Sequence, residues 1–155
     1  AKLASGVTPV ETYLQHGINL AIGTDGASSN NALDMFREMY MISMLQKIMT
    51  MNPQSGAPEQ IIKMATVDGA HVMGLYDCDV LAPGKKADII MLDLKNPCMQ
   101  PMHDIIHNIV YSANKSIVKM TMINGRVLYQ DGKYTTVNQD EVIEMANEMV
   151  AKLMH

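Results

Sequence analysis

An α/β fold is predicted for these 155 residues, on three observations. The first half alternates amphipathic helical stretches with one short apolar run that stops at Thr24-Asp25-Gly26. The second half turns strand-rich, with period-two alternation around an Asn124-Gly125 pair. The length suits one or two small domains exposing about 8,000 Å² when folded, and it falls short of the roughly 250 residues of a complete (β/α)8 barrel.

Taken in order, Thr8 reads as a helix N-cap with Pro9 at the first helical position, and Val10, Tyr13 and Leu14 share a face up to Gly17. Residues 19–24 suit a buried strand, followed by a loop rich in Ser, Asn and Gly. A long helix is expected from about Asn31 or Ala32 to Thr50. In it Met41, Ile42, Met44, Leu45, Ile48 and Met49 take one half of the circumference, and Tyr40, Ser43, Gln46, Lys47 and Thr50 the other. Asp34, Arg37 and Glu38 fall in the apolar half of its first turns, which predicts a local ion-pair group. Pro58 starts a third helix running to Gly74, with Gly69-Ala70 marking close approach of another element. Strands are expected over 87–94 and 117–123, turns at Asn124-Gly125 and Asp131-Gly132, and a last amphipathic helix after the Asn138/Glu141 capping box. This divides the chain into 1–76, a helix-strand-helix region; 77–137, a strand-rich region; and 138–155, a C-terminal helix.

Composition excludes several classes. Twelve Lys and Arg against sixteen Asp and Glu give a net charge of -4 with no basic stretch, so no nucleic-acid partner is expected. No apolar run approaches the ~20 residues of a membrane span and no signal-peptide pattern opens the chain, so the expected location is cytoplasmic, with no membrane partner. Cys78 and Cys98 form no CxxC pair and predict no disulfide. Sixteen Met beside one Phe and no Trp read as core filling, since most lie in phase with other apolar residues.

Asp25 is the strongest candidate for chemistry. An acid at the C-terminal end of a parallel strand faces the mouth where α/β sites are built, and Gly23 and Gly26 permit close approach. A carboxylate there can ligate a metal and take a proton from its water; equally, Thr-Asp-Gly is ordinary turn chemistry. His103 and His107 have an i, i+4 spacing that could clamp a metal if helical, but Pro101 precedes them and no HExxH accompanies them, so a structural role is expected. The Asn30-Asn31 loop lacks GxGxxG and a following Lys and is no phosphate cradle.

The run Gly23-Thr24-Asp25-Gly26-Ala27-Ser28-Ser29-Asn30-Asn31, with Leu33-Asp34-Met35-Phe36-Arg37-Glu38-Met39, resembles the eighth-strand segment of the amidohydrolase superfamily. Its likeness is greatest to the 5-methylthioadenosine/S-adenosylhomocysteine deaminase branch, with triazine and other chlorohydrolases near. Met64-Ala65-Thr66-Val67-Asp68-Gly69-Ala70 and Pro83-Gly84-Lys85-Lys86-Ala87-Asp88-Ile89-Ile90 agree in order, the latter resembling the return into that superfamily's small β-sandwich. The resemblance implies the C-terminal part of a metal-dependent hydrolase (β/α)8 barrel, held in 1–76, plus part of the β-sandwich in 77–137. It implies one divalent metal, commonly zinc, and hydrolytic deamination of an adenosine-type or other amino-substituted ring. Asp25 matches the aspartate that contacts the metal and shuttles a proton from water to the leaving ammonia. The family's His-x-His pair, its other two histidine ligands and its ring-protonating glutamate have no counterpart here. The chain alone is therefore expected to be inactive and to hold no stoichiometric metal. Its expected partners are an aminopurine-like substrate in the complete enzyme and an upstream barrel segment, or a second copy, on its uncovered edge. The competing expectation is a non-catalytic truncated paralogue, or a subunit that completes a site in another chain.

Overall fold

The computed structural model describes residues 3–154. Its packing separates two units, one formed by Ala1–Lys85 with Leu94–Ile117 and the other by Lys86–Asp93 with Val118–His155. These packing units are not contiguous in sequence as the division at 76 and 137 is: 94–117 packs with the first unit, and the C-terminal helix groups with the second.

The first unit is helical: α1 Val10–Gln15, α2 Met35–Thr50, α3 Pro58–Ala65, α4 Val67–Val72 and α5 Ile105–Tyr111, with 3-10 turns at Pro97–Met99 and Lys115–Ile117. It holds every buried apolar side chain among the described residues, including Val10, Phe36, Met39, Ile61, Met64 and Val110. Pro9, rather than Thr8, occupies the N-cap of α1. The Thr8 carbonyl instead accepts from the Val10 N–H and from Gln46 Nε2, both at 2.9 Å.

Two features of α2 depart from expectation. It starts at Met35, because Asp34 has extended backbone and its Oδ1 accepts the Phe36 N–H at 3.1 Å, which makes it the cap rather than a helical residue. Its buried face is Phe36, Met39, Ser43 and Gln46, while Ile48 and Met49 are exposed. Ser43 and Gln46 can be buried because they are satisfied: Ser43 Oγ donates to the Gly56 carbonyl at 2.7 Å, and Gln46 Oε1 accepts from the Val10 N–H at 3.0 Å. The chain at Gly56 comes so near that a Cβ there would stand 2.9 Å from the Ser43 Cα and carbonyl oxygen, at φ +62°.

The expected single helix over 58–74 is broken at Thr66 (φ -126°, ψ -98°) into α3 and α4. The break frees the Met64 carbonyl, which lies 3.2 Å from where a Gly69 Cβ would be and accepts the Ile22 N–H at 3.2 Å. The close approach expected at Gly69 is therefore made by Met64. The segment 19–24 forms no strand ladder, and this corrects the expected strand. A parallel strand exists only by pairing along its length, and the Ile22–Met64 bond is the one backbone link that residues 19–24 make elsewhere among the described residues.

The second unit carries one antiparallel sheet, β1 Ile89–Leu92, β2 Val118–Ile123, β3 Arg126–Gln130 and β4 Lys133–Tyr134, in that order. Asn124 and Gly125 (φ +48° and +78°) make the β2-β3 turn, and Asp131 and Gly132 (φ +46° and +85°) the β3-β4 turn. Strand β1 has no second neighbour among the described residues, and its Ile90 and Met91 are more than half exposed. Helix α6, Gln139–Leu153, is capped by Asn138, whose Oδ1 accepts from the Asp140 N–H at 3.2 Å. Its apolar side chains Val142, Ile143, Met149 and Leu153 are all exposed.

The accessible surface is 10677 Å², well above the roughly 8,000 Å² expected for a chain of this size. The methionine reading needs correction: Met39, Met64 and Met99 are buried, but eight of the sixteen are exposed, among them Met91 on β1 and Met145 and Met149 on α6. Among the described residues no helix is long and apolar enough to cross a membrane.

Candidate active site

The site grows out of the segment that Met64 pins. Beyond Ile22 the chain reaches Asp25, which has φ +61°, a left-handed conformation that Asp tolerates better than most residues. That turn brings two donors onto its carboxylate. The Gly26 N–H bonds Oδ1 at 2.6 Å, and Ser29 Oγ donates to Oδ2 at 2.5 Å. The Ser29 hydroxyl, and then the Gly26 N–H, hold the Asp25 pKa below the usual carboxylate value. Each oxygen accepts one bond and keeps a lone pair open. The side chain is exposed at the surface of a cavity of about 520 Å³, lined by Thr24, Asp25, Asn30, Arg37 and Glu38 among others.

Asn30 ties this loop to α2. Its Nδ2 donates to the Thr24 carbonyl and to Glu38 Oε1, both at 2.7 Å, and its Oδ1 accepts the Ala32 N–H at 3.1 Å. Neither Asn30 nor Glu38 was singled out in these roles from the sequence; the available signal was an Asn in a Ser-rich loop eight residues before a helical Glu. A second, smaller groove of about 190 Å³ is lined by Val7, Val10, Leu20, Ile42 and Leu45, with Glu38 its one titratable residue. Thr8 and Gln46 add polar groups to its lining, but it gathers no second titratable side chain.

The expected ion-pair group does not form. Asp34 caps α2, Glu38 is taken by Asn30, and Arg37 is exposed without an ion pair among the described residues, its side chain reaching the cavity of Asp25. His103 precedes α5, so it shares no helix with His107. Asp104 caps that helix through the Ile106 and His107 N–H groups, and His107 Nδ1 lies 3.0 Å from its Oδ2. The His107 N–H is the main cause of the lowered Asp104 pKa. A further cluster, unmarked in the sequence, joins Asp79 to Lys85 Nζ at 2.5 Å and His71 Nε2 at 2.8 Å.

Zinc takes carboxylate oxygen among its ligands, and Asp25 fits as one. A catalytic zinc site needs about three protein ligands, whereas no group of three or more His, Cys, Asp or Glu side chains is placed to hold a metal among the described residues. These residues do not by themselves fit a metal centre.

The chain belongs to the amidohydrolase family, whose profile matches residues 1–128. A 5'-deoxyadenosine deaminase of Methanosarcina mazei is 40% identical over 153 residues, which are 99% of this chain and 35% of that protein. A 5-methylthioadenosine/S-adenosylhomocysteine deaminase of Syntrophomonas wolfei is 43% identical over 154 residues, 99% of this chain and 36% of that protein. The crystal structure of an adenosine deaminase from Xanthomonas campestris with bound zinc matches with a TM-score of 0.94 at 29% identity, covering 99% of this chain and 35% of the other. The chain thus spans about a third of the length of the curated relatives it matches.

Proposed function

We propose that this chain supplies the C-terminal third of a metal-dependent deaminase that replaces the exocyclic amine of an adenosine-type ring by oxygen, with Asp25 as metal ligand and proton carrier. The observation that carries this reading is the Asp25 carboxylate, aimed into an open cavity by two neutral donors, in a chain of the amidohydrolase family. In that reading the first unit is the end of a (β/α)8 barrel and the second is part of a small β-sandwich.

A divalent metal, zinc by analogy with the Xanthomonas enzyme, would supply Lewis-acid activation once histidine ligands from outside this chain complete its site. The chain's own contribution is a base. Asp25 accepts a proton as water adds to the ring carbon, then returns it to the departing nitrogen; the C–N bond breaks, ammonia leaves and the carbon keeps the oxygen. A depressed pKa keeps Asp25 ionised before the step, and the single bond on each oxygen leaves room for both roles. Missing walls and ligands make the chain inactive alone. An upstream segment, or a second copy, covers β1 and the exposed apolar faces.

The test is ammonia release from 5'-deoxyadenosine and 5-methylthioadenosine with added zinc, by the chain alone and mixed with the first two thirds of the Methanosarcina relative. Turnover only in the mixture, lost in Asp25→Ala, is expected. Turnover by the chain alone, or full turnover by the Asp25→Ala mixture, overturns the reading.

A further inference from the structure

We infer that Asn30 and Glu38 act as positioning residues for Asp25, a brace between the catalytic loop and α2 that fixes where the Asp25 carboxylate stands in the cavity. The inference rests on the role given to Asp25 above and adds to it two residues whose side chains bond neither its carboxylate nor its two donor groups.

The geometry is specific. Asn30 Nδ2 has two N–H bonds to give; one goes to the carbonyl of Thr24, the residue immediately before Asp25, and the other to Glu38 Oε1. Its Oδ1 takes the Ala32 N–H. One amide therefore grips the loop before Asp25, the loop after it, and the first turn of α2. Within the loop the Gly26 carbonyl accepts the Ser29 and Asn30 N–H groups at 3.1 and 2.9 Å, so Asn30, Ser29 and the Gly26 peptide move together. These are the groups that carry both Asp25 donors. Asp25 itself has φ +61° and an exposed side chain, and an Asp in that region is held there by its surroundings. The anchor is rigid, because α2 is fixed by buried Phe36 and Met39 on either side of Glu38. A side chain that needs placement to within about 0.5 Å is best tied to such an element rather than to its own loop.

Amide hydrogen exchange by NMR on the 155-residue chain tests this without metal or activity. In Asn30→Ala and in Glu38→Ala, the Gly26 and Ser29 amides are expected to exchange about tenfold faster, the equivalent of one lost hydrogen bond. Amides of α2 beyond Met39 should stay within twofold of the parent chain. Glu38→Gln keeps the accepting Oε1 and should restore the parent rates at Gly26 and Ser29. Unchanged Gly26 exchange in both alanine variants overturns the inference. So does a Glu38→Gln variant that behaves like Glu38→Ala, since charge rather than the bridge would then matter. Loss of protection throughout α2 in both alanine variants also overturns it, because the pair would then support the whole unit and not the loop. A deaminase assay that fails for every variant, with these exchange results intact, would fault the assignment of the reaction and not the brace.

Discussion

Asp25 and Asp79 are both held by two donors, one on each carboxylate oxygen, and both are more acidic than an ordinary Asp. Their donors differ in kind. Asp79 faces the Lys85 ammonium and His71, its side chain only 10% exposed, and the Lys85 contact leads in taking its pKa from 3.8 to about 2. Asp25 is gripped by a neutral hydroxyl and a neutral peptide N–H and opens on a cavity. A cationic partner neutralises a carboxylate and closes a loop around it; neutral donors orient it and leave its charge for something else. The first arrangement is a structural latch over residues 71–85, and the second is what a ligand or base requires.

The sharpest way to break this contrast is exchange of roles under mutation. With the chain joined to an upstream segment, Asp25→Ala should lower deamination at least about 10³-fold while the melting temperature of the isolated chain barely moves. Asp79→Ala should do the reverse, lowering the melting temperature by several degrees with activity changed less than about threefold. Equal losses of activity in the two variants would erase the distinction.

A substitution remote from both carboxylates gives the scale for pure packing loss. Gly56→Ala places a Cβ 2.9 Å from Ser43 backbone atoms at a positive φ and should cost about 2–3 kcal/mol of stability in urea unfolding. The separation between latch and site predicts that it resembles Asp79→Ala and not Asp25→Ala.

Acid sharpens the comparison next. The folded-state pKa of Asp79 lies below its ordinary value, so its stabilisation is fully present above about pH 4 and fades as the pH falls toward about 2. Melting temperatures followed from pH 5 to pH 2 should fall more steeply in the parent chain than in Asp79→Asn, which has nothing there to titrate. Parallel curves would show that Asp79 is not a latch.

The smallest effect concerns Ser29. Because its hydroxyl is the leading cause of the low Asp25 pKa, Ser29→Ala should move the Asp25 titration, read by carboxyl-carbon NMR on the metal-free chain, upward toward the ordinary value without measurable change in melting temperature. An unmoved titration would transfer that role to the Gly26 N–H.

Local signals were legible in the sequence and long-range ones were not. Asn124-Gly125 names its hairpin because two successive positive φ angles demand those residue types, and Asn138 names its cap for a similarly local reason. Asp25 was legible as a position, at the end of an apolar run beside two glycines. The face that α2 buries was misread, because Ser43 and Gln46 go inside only by virtue of Gly56, Thr8 and Val10, which are 10 or more residues away. Spacing likewise could not say that Asp34 would take the Phe36 N–H two residues on rather than pair with Arg37 three residues on, since both patterns are common for an Asp at a helix start.

The Met64–Ile22 bond bears on which changes in chain length this protein tolerates. It indexes residues 19–24 at one point, so an extra residue between Gly17 and Ile22 has a turn beside it in which to be absorbed. An extra residue between Ile22 and Asp25 has none. In an extended segment it would carry the carboxylate about 3.3 Å onward and turn it to the opposite side. Insertions should therefore be permitted up to Ile22 and refused over the next three positions, although both stretches are short and nothing in the sequence sets them apart.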